Sequence, residues 1–484
     1  MQRRPPRLLP LLSAALLAGT SLQAQPSQSA DCESCFRDLY EELVETNTTL
    51  SSGDCTLASE RMSSRLQAAG YPGADVRVVV PEKFPKQGNL VARLSGTDAS
   101  LPAVLLLAHI DTVEAKRSDW ARDPFVLVEE NGYLYARGAI DDKAMAAAFV
   151  DALIRLRKEG FRPRRTVKLA LTCGEETDSF FNGVQYLLAT EPETLQAGWV
   201  VNEGGKGQLD ERGQPVSFGI QTGEKVYQDF KLVTTSPGGH SARPTEDNAI
   251  DRLAAALVRV GSYKFPVNLT PVSQEFFRRA AFLYPGRTGA DMAAIGAGTA
   301  DEATYERIGK VDRLWNALLR TTCISTRIDG GHAKNAQPQH VEANINCRIL
   351  PGEPVESIRA RLEALIADPK VSLSLSDAPG PQSAAPPLTP QILRPVEEIV
   401  AEMWPGVPVI PTLSTGATDG RFLNAAGIAT YGISGVFVDP DGNGVHGLDE
   451  RVRVKSLMDA RVFLYRLVKA YAAGRAGTPS PLPH

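Results

Sequence analysis

Six residues able to ligate metals or move protons are dispersed along the chain: His109, Asp141, Glu175, Glu176, Glu203 and His446. Each sits in a compact motif: AHIDTV (108–113), RGAIDDK (137–143), CGEET (173–177), VNEGG (201–205) and VHGLDE (445–450). Two imidazoles and three carboxylates suffice to hold two zinc ions if one carboxylate bridges them. Glu175 is then left over to activate a water molecule. This is the inventory of a two-metal hydrolase.

The elements that must position these residues are legible as apolar runs. Ala103 to Ala108, Val167 to Thr172 and Trp199 to Val201 read as buried strands, ending just before His109, Glu175-Glu176 and Glu203. In open α/β sheets the binding crevice lies outside the carboxyl ends of the strands. Residues 33–69 read as helical with a break near Ser51-Ser52-Gly53, Val76–Val80 and Asn89–Leu94 as strands, and Lys143–Lys158 as a helix.

From about Gly223 the pattern changes. Val226–Thr234 reads as a strand, Ala249–Val260 as a helix, and about Phe265–Arg320 as a polar, variable stretch. Val341–Ile349, Glu353–Ala367 and Val371–Leu375 then read as strand, helix and strand, a β-α-β-α-β unit set into the first domain. A Pro/Ala-rich linker covers Ala378–Pro390. Ile392–Met403, Tyr431–Ile433 and Lys455–Ala473 return to α/β character. The expected division is catalytic domain over 31–222 and 379–473, inserted domain over 223–378, and a disordered tail over 474–484.

The bulk numbers agree with a soluble globular protein. A length of 484 residues exceeds one ordinary core, and 43% hydrophobic with 22% charged residues is typical of globular chains. A net charge of -4 gives no electrostatic case for nucleic acid. Residues 1–24 read as a secretion signal: Arg3, Arg4 and Arg7, then an apolar run from Leu8 to Leu22, then a cleavage point at Ala24. The run is short for a membrane span, and Pro5 and Pro6 fit a twin-arginine signal poorly. The expectation is a secreted or periplasmic protein, off the membrane after cleavage. In that oxidising setting Cys55 is expected to bond Cys32 or Cys35, while Cys173 reads as packing. A redox role for the CxxC at 32–35 lacks a thioredoxin-like context, and zinc binding there lacks a fourth ligand.

With the motifs in this order, the chain resembles the zinc-dependent metallopeptidase family of glutamate carboxypeptidase, aminoacylase, carnosinase and succinyl-diaminopimelate desuccinylase, from about residue 35 to 470. The resemblance implies a phosphorylase/hydrolase-like α/β catalytic domain with two zinc ions. A smaller ferredoxin-like α+β lid that commonly dimerises interrupts it. By the same resemblance His109 and Glu203 hold one zinc, Glu176 and His446 the other, and Asp141 bridges them. Asp111 clamps the His109 imidazole, and Glu175 is the general base. A cis peptide often follows the bridging aspartate; Ala144 replaces the family's usual glycine after the lysine. His240, in PGGHSARP, stabilises the oxyanion from a partner subunit. Asn335, Arg348 and Gly416 contact the substrate, Arg348 as a bidentate clamp on a free carboxylate. His332 and His340 match no ligand.

The ligand types also accept cobalt or manganese. The leading functional expectation is release of a C-terminal amino acid from a short peptide. Hydrolysis of N-acyl amino acids is the alternative: the polar lid insertion and the WxxDPF stretch (Trp120 to Phe125) resemble the Gly-X carboxypeptidase and N-acyl-amino-acid hydrolase branch. A dipeptidase would need a site for a free amine, to which no residue is assigned. A non-catalytic zinc-binding protein on the same fold, or a CxxC redox protein, is the rival from another class.

Overall fold

The computed structural model describes Met1, residues 31–177 and residues 180–474. The leader read over 1–24 and the tail beyond Gly474 lie outside the described residues.

The strand Val104–His109 shows how the core is built. Side chains alternate across a strand. Val104, Leu106 and Ala108 enter the larger apolar core, and Leu105 and Leu107 a second one on the opposite face. The run is therefore continuous in sequence because both faces are covered. Burying each leucine contributes about 1.5–3 kcal/mol. Helices Glu33–Glu45, Cys55–Ala68, Lys143–Lys158, Pro390–Met403 and Val454–Ala473 supply the first core. Gly183–Thr190, Pro192–Leu195 and Gly420–Ala425 supply the second.

Val104–His109 lies parallel to both Val167–Thr172 and Trp199–Asn202. All three strands therefore end at one edge of a 10-stranded sheet. Thr430–Gly432 continues the sheet parallel to Trp199–Asn202, followed by the antiparallel Pro215–Glu224. Val409–Ser414 pairs with Pro215–Glu224 in parallel.

A second sheet, of four antiparallel strands, has the order Thr322–Gly330, His340–Ile349, Val226–Thr235, Val371–Leu375. Helices Ala249–Ser262 and Val355–Ile366 pack on one face. The chain order β-α-β-β-α-β is that of a ferredoxin-like unit. It contains one strand more than the apolar pattern predicts. Thr322–Gly330 is exposed along most of its length and has no buried face to leave a pattern.

The 265–320 stretch is not merely polar and variable. It forms the helices Pro271–Ala280, Gly286–Gly296, Glu302–Val311 and Arg313–Leu319. Thr270, Asp301 and Asp312 cap three of them by accepting backbone amides. Phe277, Met292, Trp315 and Leu318 pack with Ile410 and Leu413 of the 10-stranded sheet. Each helix is only 7 to 11 residues long, too short for a strong periodic signal.

The disulfides correct the sequence reading. Cys32 bonds Cys35, Cys55 bonds Cys173, and Cys323 bonds Cys347. Cys55 begins a helix whose start lies against the end of Val167–Thr172, so its partner is 118 residues away. Cys173 is thus a cross-link and not simple packing. Among the described residues no helix is long and apolar enough to cross a membrane.

Candidate metal centre

Seven of the predicted site residues converge where the three parallel strands end. His109 closes its strand and is buried; Glu175 and Glu176 follow Val167–Thr172 through Cys173 and Gly174; Glu203 follows Trp199–Asn202. Asp141 lies just before the helix Lys143–Lys158, and the Asp141–Asp142 peptide is cis. His446 adopts a positive φ of 59° in a loop rich in glycine.

Asp141 sits between the imidazoles. Its Oδ1 is 3.4 Å from His109 Nε2 and its Oδ2 is 3.4 Å from His446 Nε2. His109 Nε2 is 3.9 Å from Glu203 Oε1, and His446 Nε2 is 2.8 Å from Glu176 Oε1. Within each of the groups His109–Asp141–Glu203, Asp141–Glu176–His446 and His109–Glu175–Glu176, the candidate ligand atoms all lie within 4.8 Å of one another. The first two groups share Asp141, as a bridging carboxylate requires.

The electrostatics fit cations at this place. Burial and repulsion from Asp141 push Glu203 up to about 7, against the pull of His109. Burial and then Glu203 raise Glu175 well above the usual carboxyl range. Asp141 and Glu176 hold His446 up at about 10. Asp141 itself is held low, against burial, by Lys206 and the two imidazoles. Such crowding of acids around two imidazoles is relieved by divalent ions, and all the donors are nitrogen or carboxylate oxygen.

A layer behind these residues fixes their backbones. Asp111 Oδ1 and Oδ2 accept the amides of Glu175 and Glu176 at 3.2 and 3.0 Å. His109 Nδ1 is closer to the Asp111 carbonyl oxygen, at 3.1 Å, than to its carboxylate, at 3.6 Å. Asp111 thus holds the Glu175-Glu176 loop as well as facing the imidazole. Arg137, Glu450 and Asp419 are missed by the sequence reading. Glu450 Oε1 accepts the amides of Ile140 and Asp141, and Oε2 accepts the Gly138 amide and Arg137 Nη1. Arg137 Nη2 donates to the Gly447 carbonyl beside His446, and its guanidinium lies over the Trp120 ring at 4.9 Å. Asp419 accepts from Thr172 Oγ1 and Asn182 Nδ2 and is pushed by burial to about 6. Arg137 and Glu450 stand inside the RGAIDDK and VHGLDE motifs of their ligands, but nothing in those motifs marks what they touch.

The remaining predicted residues fall in two places. Arg348 Nη1 donates to the Thr415 carbonyl at 3.1 Å, so it meets the loop that carries Gly416. A cavity of about 760 Å³ opens where the two sheets meet, lined by Glu224, Tyr227, Asp229, Asp377, Ala417 and Arg421 among others. His240 and Asn335 lie together instead on the small pairing of Gly239–His240 with Ala336–Gln337; both are exposed. Neither hydrogen-bonds the metal-centre residues among the described residues.

A mixed sheet carrying an imidazole–carboxylate cluster at its strand ends, interrupted by an α+β unit, defines a hydrolase of the metallopeptidase type. The chain belongs to the peptidase family M20/M25/M40, whose family model matches residues 105–470. It is 28% identical over 391 residues to human N-fatty-acyl-amino acid synthase/hydrolase PM20D1, covering 78% of this chain and 75% of that protein. It is 22% identical over 384 residues to human aminoacylase-1, covering 78% and 82%. Among solved structures, the metallo-carboxypeptidase Sso-CP2 of Sulfolobus solfataricus matches with a TM-score of 0.64 and 19% identity, over 90% of this chain and 99% of that one.

Proposed function

We propose that the protein is a secreted or periplasmic di-zinc amidohydrolase that releases free amino acids from N-acyl amino acids. The observation that carries this reading is the pair of ligand groups sharing Asp141, with Glu175 beside them. The acyl preference is supported by the likeness to PM20D1 and aminoacylase-1. Short peptides cleaved at the C-terminal bond form the second reading, since such a substrate carries the same free carboxylate.

His109 and Glu203 would hold one zinc, Glu176 and His446 the other, with Asp141 between them. Zinc bound there supplies positive charge that polarises the scissile carbonyl and lowers the pKa of water. Glu175 accepts the proton of the attacking water on a carboxylate oxygen and delivers it to the leaving nitrogen. In the ion-free chain burial and Glu203 raise its carboxyl, a shift that bound zinc would oppose, favouring the carboxylate that accepts the proton. Arg348, beside the Gly416 loop, receives the substrate carboxylate.

The insertion over 223–378 serves as a lid and dimerisation unit. Exposure of His240 and Asn335 away from the chain's own cluster supports their acting in the site of a second copy. Disulfides that engage all the cysteines, with the leader-like N-terminus, support export.

The test is incubation of zinc-loaded protein with mixed N-acyl amino acids and short peptides, followed by mass spectrometry. Release from the acyl substrates, reduced about 10²–10⁴-fold in Glu175→Gln with zinc content unchanged, is the expected result. Release from peptides alone selects the second reading. No release from either, with zinc bound, favours a very narrow substrate or the non-catalytic protein.

A further inference from the structure

We propose that Tyr227 is a positioning residue for Arg348, presenting its guanidinium to the carboxylate of the substrate. This rests on the reading of Arg348 as the carboxylate clamp.

Tyr227 and Arg348 stand directly opposite each other on the antiparallel strands Val226–Thr235 and His340–Ile349. Opposed residues project from the same face of a sheet. The Arg348 guanidinium carbon lies 4.6 Å from the centre of the Tyr227 ring. Stacking on the ring restricts the guanidinium plane, and the Nη1 bond to Thr415 sets its rotation. The other guanidinium donors of Arg348 make no hydrogen bond among the described residues, so they remain for an incoming carboxylate.

The nearest acid on this face is Asp229, two residues from Tyr227. Left to itself it would capture Arg348 and compete with the substrate. Its oxygens are occupied instead. The Tyr227 hydroxyl donates to Oδ2, and Asn344 Nδ2 and Asn346 Nδ2 donate to Oδ1 at 2.8 and 2.9 Å. Although burial pushes the Asp229 carboxyl up, these hydrogen bonds hold it below its ordinary value as a satisfied anion. Tyr227 therefore does two things: its ring orients the guanidinium, and its hydroxyl keeps the neighbouring carboxylate engaged. Tyr227 is 44% exposed, so its replacement leaves the core intact.

The experiment measures binding of N-octanoyl-L-phenylalanine and its carboxamide to the zinc-loaded Glu175→Gln protein by calorimetry. Arg348→Ala is expected to abolish the preference for the acid over the amide. Tyr227→Leu should weaken acid binding about tenfold. Amide binding should stay within twofold. Tyr227→Phe, which keeps the ring, should stay within threefold of the parent for the acid. On the Arg348→Ala background, Tyr227→Leu should have no further effect. The proposal is overturned if Arg348→Ala removes the preference while Tyr227→Leu does not alter it. It is equally overturned if Tyr227→Leu weakens acid and amide alike, or acts as strongly without Arg348. Retention of the preference in Arg348→Ala, or no binding of the acid by the parent, overturns the clamp reading first and this proposal with it.

Discussion

Glu450 Oε1 accepts the backbone amide of Asp141 at 3.2 Å, so a buried carboxylate holds the peptide of the residue that faces both imidazoles. The other oxygen takes Arg137, which in turn holds the Gly447 carbonyl next to His446. One residue therefore ties together the Asp141 and His446 loops. Glu450→Gln places an amide NH₂ where backbone donors point. Zinc affinity, measured by competition with a chromogenic chelator, is expected to fall about 10–100-fold, as for other residues that orient metal ligands. An affinity equal to wild type would show that the loops hold themselves.

The legibility of this site in the sequence stopped at that layer. His109, Glu175 and Glu203 were recognisable because each stands at or just beyond the end of a strand buried on both faces, whose apolar run points to its own end. Arg137, Glu450 and Asp419 matter because of what they touch across long sequence separations, and nothing in their local spelling records it. The fold shows the same division. Thr322–Gly330 was invisible because an exposed edge strand needs no alternating pattern. Cys55 was assigned to Cys32 or Cys35, and Cys173 was read as packing, because proximity in sequence was the only measure of proximity available.

Chelation should destabilise the protein more as pH rises. In the ion-free chain Glu203 is raised to about 7, so its contribution is present below its ordinary value near 4.5 and lost as pH climbs through 7. His446 is raised to about 10 by Asp141 and Glu176, so its contribution is present below 6.5 and lost toward 10. Both trends weaken the ion-free state at high pH, where deprotonated ligands bind zinc most tightly. The gain in Tm on adding zinc to stripped protein should therefore be larger at pH 8 than at pH 5.5. A gain that shrinks with pH would contradict the ligand assignment.

The Cys55–Cys173 disulfide joins the start of a helix to the residue two positions before Glu175. Cys173 is also fixed by the Asn89 side chain on its amide and by the Gly183 amide on its carbonyl. Closing so long a loop stabilises by about 4–5 kcal/mol in the chain-entropy model. The double variant Cys55→Ser, Cys173→Ser should show a markedly lower Tm, while a Cys32→Ser, Cys35→Ser variant should lose far less. Equal losses in the two variants would argue against a special role for this bond.

Glu224 ends the strand Pro215–Glu224 at the crossing between the two sheets. Burial pushes its carboxyl up to about 8, against the pull of Arg421. A carboxyl raised in the folded state binds a proton that the unfolded chain has released. Its contribution is therefore full below about 4.5 and is lost as pH rises through 8. Glu224→Gln keeps the shape of the protonated acid and removes the titration. The variant should match wild type near pH 5 and exceed it at pH 8, with a difference of a few kcal/mol at most, since one pKa unit corresponds to about 1.4 kcal/mol. Thermal unfolding of both proteins across this range isolates the effect, because every other titrating group is common to the pair. A difference in Tm that stays constant from pH 5 to pH 8 would mean that Glu224 is already ionised in the fold, with Arg421 strong enough to keep it so.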